Sequence, residues 1–139
     1  MDFTPDVIKH LEFIQNIITR MNTNSFQIKG LAITIVSAML AIYASSPKVL
    51  FIFFAIFPTT LFWCLDAYYL QQERKFRGLY NDIAVEKKEQ SVRLFEMPIK
   101  KYTGKGYTYF EVLFSETLCW LYIPIMVIVI SIGLAVSVC

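Results

Sequence analysis

The sequence predicts an all-α integral membrane protein: three transmembrane helices, an amphipathic N-terminal helix, and a small cytoplasmic segment between spans two and three. Three observations predict this class. Uncharged stretches run from Gly30 to Pro47, from Val49 to Leu65 and from Thr117 to Cys139. At about 1.5 Å of rise per residue, each is roughly long enough to cross a hydrocarbon core about 30 Å thick. The chain is 56% hydrophobic and 16% aromatic, with a mean hydropathy of +0.52, outside the usual soluble range. The charged residues fall between and before the apolar stretches.

The expected organisation is an amphipathic arm over 1–25, a transmembrane hairpin over 26–70, a cytoplasmic stalk and basic-aromatic segment over 71–116, and a third span over 117–139. In the arm, Thr4 or Asp2 suits the N-cap, and Pro5 and Asp6 suit the first turn. Val7, Leu11, Ile14, Ile18 and Met21 step by 4, 3, 4 and 3, a heptad stripe. The run Asn22-Thr23-Asn24-Ser25 favours caps and turns, so the arm is expected to end there. Two roles stay open for it. It either lies at the interface or on its own middle segment, or gathers at an oligomer axis, where Val7, Leu11, Ile14 and Ile18 would form a gate.

Span one carries small residues (Gly30, Ala32, Ser37, Ala38, Ala41) that permit close helix approach in lipid. Ser45-Ser46-Pro47-Lys48 predicts a tight turn into span two, which is rich in phenylalanine and has Pro58 near its centre. Helical period continues from Asp66 to Tyr80, so this helix should leave the bilayer as a stalk. Val85 to Arg93 reads as a charged helix stopped by Pro98, and Lys100 to Phe110 as a β-type or loop segment with glycines at a turn. Ser115-Glu116-Thr117 opens span three with a capping sequence.

Basic residues set the expected orientation. The loop between spans one and two holds only Lys48, whereas the stretch before Gly30 has three lysines and arginines (Lys9, Arg20, Lys29) and the segment 71–116 has nine. The positive-inside rule places the N-terminus and that segment in the cytoplasm and the C-terminus outside. The stretch before Gly30 lacks an apolar core followed by a small-residue cleavage site, so no secretory signal is expected. Cys64, Cys119 and Cys139 all lie in apolar spans, which argues for packing rather than disulfides or a metal site.

Asp66, about one turn inside the predicted boundary, is costly there unless paired or hydrated. Lys29 is its natural partner in a structural ion pair; the other reading is an acidic ring on a cation pathway, joined by Glu116 in a negative vestibule. Lys100, Lys101 and Lys105 interleave with Tyr102, Tyr107 and Tyr109. Such a cluster suits either anionic lipid headgroups or the phosphates and bases of a nucleotide or oligonucleotide. Gly104-Lys105-Gly106 lacks phosphate-loop spacing. His10 is the only histidine and is expected to be solvated, so nothing points to an enzyme, a cofactor or a metal.

Two stretches carry a resemblance. His10-Leu11-Glu12-Phe13-Ile14-Gln15 through Arg20-Met21 to Asn24-Ser25-Phe26-Gln27-Ile28-Lys29-Gly30 is one; Phe62-Trp63 with Leu65-Asp66-Ala67-Tyr68-Tyr69-Leu70 through Glu73-Arg74 to Tyr80 is the other. Over roughly residues 9 to 130 the chain resembles a family of small bacterial inner-membrane proteins. In plan it is also similar to membrane effectors of anti-phage systems, among them the Hailong effector, an oligomeric ion channel controlled by a DNA oligomer. That likeness implies a homo-oligomeric channel or pore and a partner protein from the same defence system. It also implies a DNA oligomer or nucleotide ligand held by Lys100, Lys101, Tyr102, Lys105, Tyr107 and Tyr109, with Asp66 and Glu116 in a vestibule. Three spans enclose no lumen alone, so conduction requires oligomerisation. The rival expectation is a non-conducting scaffold that recruits a soluble partner through residues 71–116.

Overall fold

The computed structural model describes residues 4–85, 93 and 95–138. All regular structure among them is helical: α1 (Pro5–Ser45), α2 (Leu50–Ala84), a 3-10 turn (Ile99–Lys101), α3 (Tyr109–Leu113) and α4 (Glu116–Val138). Helices α1, α2 and α4 are each long and apolar enough to cross a membrane, which makes this a multi-pass membrane protein. The expected charged helix over Val85 to Arg93 lies almost wholly outside the described residues.

The N-terminal arm is not a separate element. Helix α1 runs unbroken for 41 residues, about 60 Å, straight through Asn22-Thr23-Asn24-Ser25. The hydroxyls there find other partners than a cap would give them. Thr23 donates back to the Thr19 carbonyl at 2.9 Å, and Ser25 donates across to Asp66 on α2. Continuous packing against α2 thus outweighs the local preference for a break.

The hairpin turn is where the sequence places it. Ser46 donates its N–H to the Ile42 carbonyl at 2.9 Å, closing α1, and α2 starts at Leu50. Helix α2 then continues through Pro58 and on past Asp66 to Ala84, so the helical continuation expected beyond the span is present.

The α1–α2 seam is the longest contact, and α4 packs chiefly on α2. Val7, Ile14 and Ile18 meet Phe76, Leu79 and Ile83 in the stalk. Burying each such side chain contributes about 1.5–3 kcal/mol where water is the alternative. Further along, Ala32, Ala67, Val112, Leu118 and Tyr122 form a second cluster, and Val36, Ile52, Ala55 and Val129 a third. Within lipid the apolar drive is absent, so these two depend on close approach. A Cβ on Gly133 would stand 3.1 Å from Ile52, which shows how tightly α4 sits there.

Candidate functional site

The stalk core already answers one expectation. Val7, Ile14 and Ile18 are buried against α2, with Leu11 partly buried beside them, so the heptad stripe packs inside the protomer and is not free to form a gate at an axis. His10 also differs from expectation: it is 3% exposed, its ring lies 5.7 Å from that of Phe95, and its Nε2 has no partner among the described residues.

Where the stalk meets the spans, three helices converge on Asp66, which is fully buried. Ser25 and Lys29, one turn apart on α1, reach it together. The Ser25 hydroxyl donates to Oδ1, and Lys29 Nζ lies 2.9 Å from Oδ1 and 2.7 Å from Oδ2. Lys29 also donates to Ser25 Oγ at 2.6 Å. From α4, the Tyr122 hydroxyl donates to Oδ2 at 3.1 Å. Trp63 stacks on Tyr122 with ring centroids 6.0 Å apart and an interplanar angle of 9°, and its Nε1 donates to the Leu113 carbonyl at 2.9 Å.

The carboxylate thus has a counter-charge and two hydroxyl donors, which satisfies the condition for burying a charge. Chemically this node is a lock: it holds α1, α2 and α4 at one level. Lys29 is the partner the sequence suggested, and Asp66 faces no outer surface of the protomer. The acidic ring expected of it is therefore not available from this position. Glu116, by contrast, is exposed in the first turn of α4. The Ser115 hydroxyl beside it makes no capping bond and has no partner among the described residues.

The basic-aromatic segment is a loop clamped onto α2, not a strand. Gly104 and Gly106 adopt φ of 98° and 91°, the left-handed region glycine favours, as the turn expectation required. Gln71 donates to the Tyr107 carbonyl at 2.8 Å and Arg74 to the Gly106 carbonyl at 3.2 Å. Tyr102 donates to Asp82, and Tyr109 to the Cys64 carbonyl at 3.0 Å. A Cβ on Gly78 would lie 2.7 Å from the Tyr107 hydroxyl and 3.0 Å from the Tyr102 ring, so this glycine makes room for both tyrosines. Lys100 and Lys105 remain exposed, while Lys101 lies 3.9 Å from Asp82. The cluster therefore offers lysines to a ligand more readily than tyrosine faces.

Opposite its packed face, α1 presents a line that the sequence reading missed. Asp6, Lys9, Phe13, Asn16, Arg20, Thr23, Gln27, Gly30, Thr34, Ser37, Ala41 and Ala44 alternate steps of 3 and 4, and all are exposed. Within the span, every residue on this line is small or polar. It is a narrow line: beside it on α1, Phe26, Leu31, Ile33 and Ile42 are exposed, large and apolar, as are Phe53, Phe54, Phe57 and Leu61 on α2 and Trp120, Val127 and Leu134 on α4. The period was visible in the sequence. The burial pattern separates it from the packed stripe, and its small or polar residues within the span separate it from its exposed neighbours. Among the described residues no group of acids, histidines and cysteines could hold a metal ion.

Comparison of the chain with known protein families, characterised proteins and solved structures found no match.

Proposed function

We propose that this protein is the subunit of a homo-oligomeric ion channel in the bacterial inner membrane, with its stalk in the cytoplasm and its C-terminus outside. We further propose that it acts as an anti-phage defence effector whose conduction is controlled by a cytoplasmic nucleotide or oligonucleotide. The observation that carries the conducting reading is the exposed line on α1. The bilayer holds all copies at one depth and in one orientation, so the same line on each can turn to a common axis. A small and polar helix face is costly against lipid and favourable around water. The large apolar surfaces of α2 and α4 suit lipid instead. A seven-residue period drifts by about 20° per heptad on a straight helix, which matches gentle left-handed coiling about such an axis.

Orientation is supported by the excess of lysine and arginine in the stalk and loop. Ligand control is supported by the exposed Lys100 and Lys105 and by the likeness in plan to defence effectors. Reversing Lys100, Lys101 and Lys105 to glutamate is expected to weaken binding of a short DNA oligomer by at least about tenfold, because phosphate neutralisation dominates such affinity. Unchanged binding to a normally assembled oligomer removes the oligonucleotide from the proposal.

Accessibility during conduction tests the pore itself. In protein whose Cys64, Cys119 and Cys139 are replaced by alanine, Thr34→Cys is expected to lose most of its liposome ion flux on treatment with a charged thiol reagent. Phe57→Cys, on the outward apolar face, is expected to keep it. Equal insensitivity at both positions, or no flux from a defined oligomer, rules the pore out.

One observation favours a scaffold instead. An open groove of about 520 Å³ runs along the stalk seam, lined by Ile8, Leu11, Glu12, Gln15, Asn16 and Tyr80, and could receive a soluble partner. That reading predicts no ion flux with any ligand and a protein that co-purifies in fixed stoichiometry.

A further inference from the structure

We infer that Arg20 sets the ion preference of this pore, and that the preference is for anions. The inference rests on the channel reading above. Expectation from sequence pointed the other way, toward acids at the inner mouth. The structure removes the principal one: Asp66 is fully buried and neutralised by Lys29. The charges left on the α1 line are Asp6, Lys9 and Arg20.

Their distances rank them. Arg20 lies seven residues before Gln27, about 10 Å from the mouth of the small polar stretch at 1.5 Å per residue. Lys9 and Asp6 lie about 16 Å and 21 Å beyond Arg20 on the same measure, and their signs oppose one another. With a Debye length of about 8 Å at physiological ionic strength, Lys9 and Asp6 are screened at the mouth, while Arg20, just over one such length away, is the charge of the line that still reaches it, attenuated. Glu12, the exposed acid on the groove rim, stands off the line and about 12 Å along the helix from Arg20. Arg20 is exposed and has no ion-pair partner among the described residues. Repeated around an axis, it becomes a ring of guanidinium groups, the arrangement that favours anions in pores.

Reversal potential under a potassium chloride gradient tests the assignment, with the wild-type protein recorded in planar bilayers. The reversal potential is expected to lie on the chloride side. Arg20→Gln should move it toward zero, and Arg20→Glu should carry it to the potassium side, with the oligomer mass unchanged in each. Conduction with a potassium preference before substitution, or a reversal potential that Arg20→Glu leaves in place, overturns this inference alone. Absence of conduction in every variant overturns the channel reading, and this inference with it.

Discussion

Lys29→Met is expected to destabilise the folded protomer by about 3–5 kcal/mol, the cost of leaving a buried charge without its partner. Asp66 is fully buried and has nowhere to turn for a new counter-charge, whereas the Lys29 side chain is 23% exposed and can swing toward water. Removing the lysine should therefore cost more than Asp66→Asn. The asparagine oxygen can still accept from Ser25 or Tyr122. Joining the two changes in one protein should recover most of the loss, since an apolar or neutral replacement of both partners is often nearly neutral. Thermal unfolding of the purified oligomer in detergent, run on the two single variants and the double, checks the order. Equal losses from both single substitutions, or no recovery in the double, would sink the locking role. The same node decides a functional point: Asp66→Asn should leave ion preference unaltered, and a changed reversal potential from a stably assembled variant would restore the acid to the conduction path.

The spans were legible because three uncharged runs of bilayer length are too much apolar surface for so small a chain to bury in itself. The stalk beyond Asp66 was legible because the helical period never breaks from Asp66 to Tyr80. A related reason exposed the Lys29–Asp66 pair: one tight turn fixes which residues of a hairpin lie level. What stayed hidden needed the third dimension. Asn22 to Ser25 each favour a cap when taken alone, yet Ser25 serves a carboxylate on another helix. Tyr122 reaches Asp66 from a distant part of the chain, and Trp63, one turn before Asp66 on α2, stacks on that tyrosine; no local pattern announces either contact. The heptad stripe of Val7, Leu11, Ile14 and Ile18 was visible, but its partner was not. Only the positions of Phe76, Leu79 and Ile83 show that it faces inward.

With the stripe packed on its own middle segment, one of the two roles the sequence left open, the channel reading proposed above has to place its barrier on a different residue. Of all side chains on the exposed α1 line, Phe13 is the one large apolar group, 55% exposed in the protomer and flanked along the line by Lys9 and Asn16. A ring of phenylalanines at one level of a narrow polar passage excludes water, and an apolar constriction of that kind closes a pore without blocking it completely by bulk. Phe13→Asn is expected to give flux without any ligand, at least about tenfold above the resting level of the unaltered protein, if the barrier lowered is worth about 1.4 kcal/mol or more. Phe13→Leu keeps an apolar ring and should stay closed. Because Phe13 makes no part of the stalk core, neither change should lower the unfolding temperature. Liposome flux measured beside that temperature separates the two origins a leak can have. Flux from a destabilised variant would mean a loosened stalk, whereas flux from a protein as stable as before would place the barrier at Phe13. Resting flux from Phe13→Asn no greater than from the unaltered chain would move the barrier off this line.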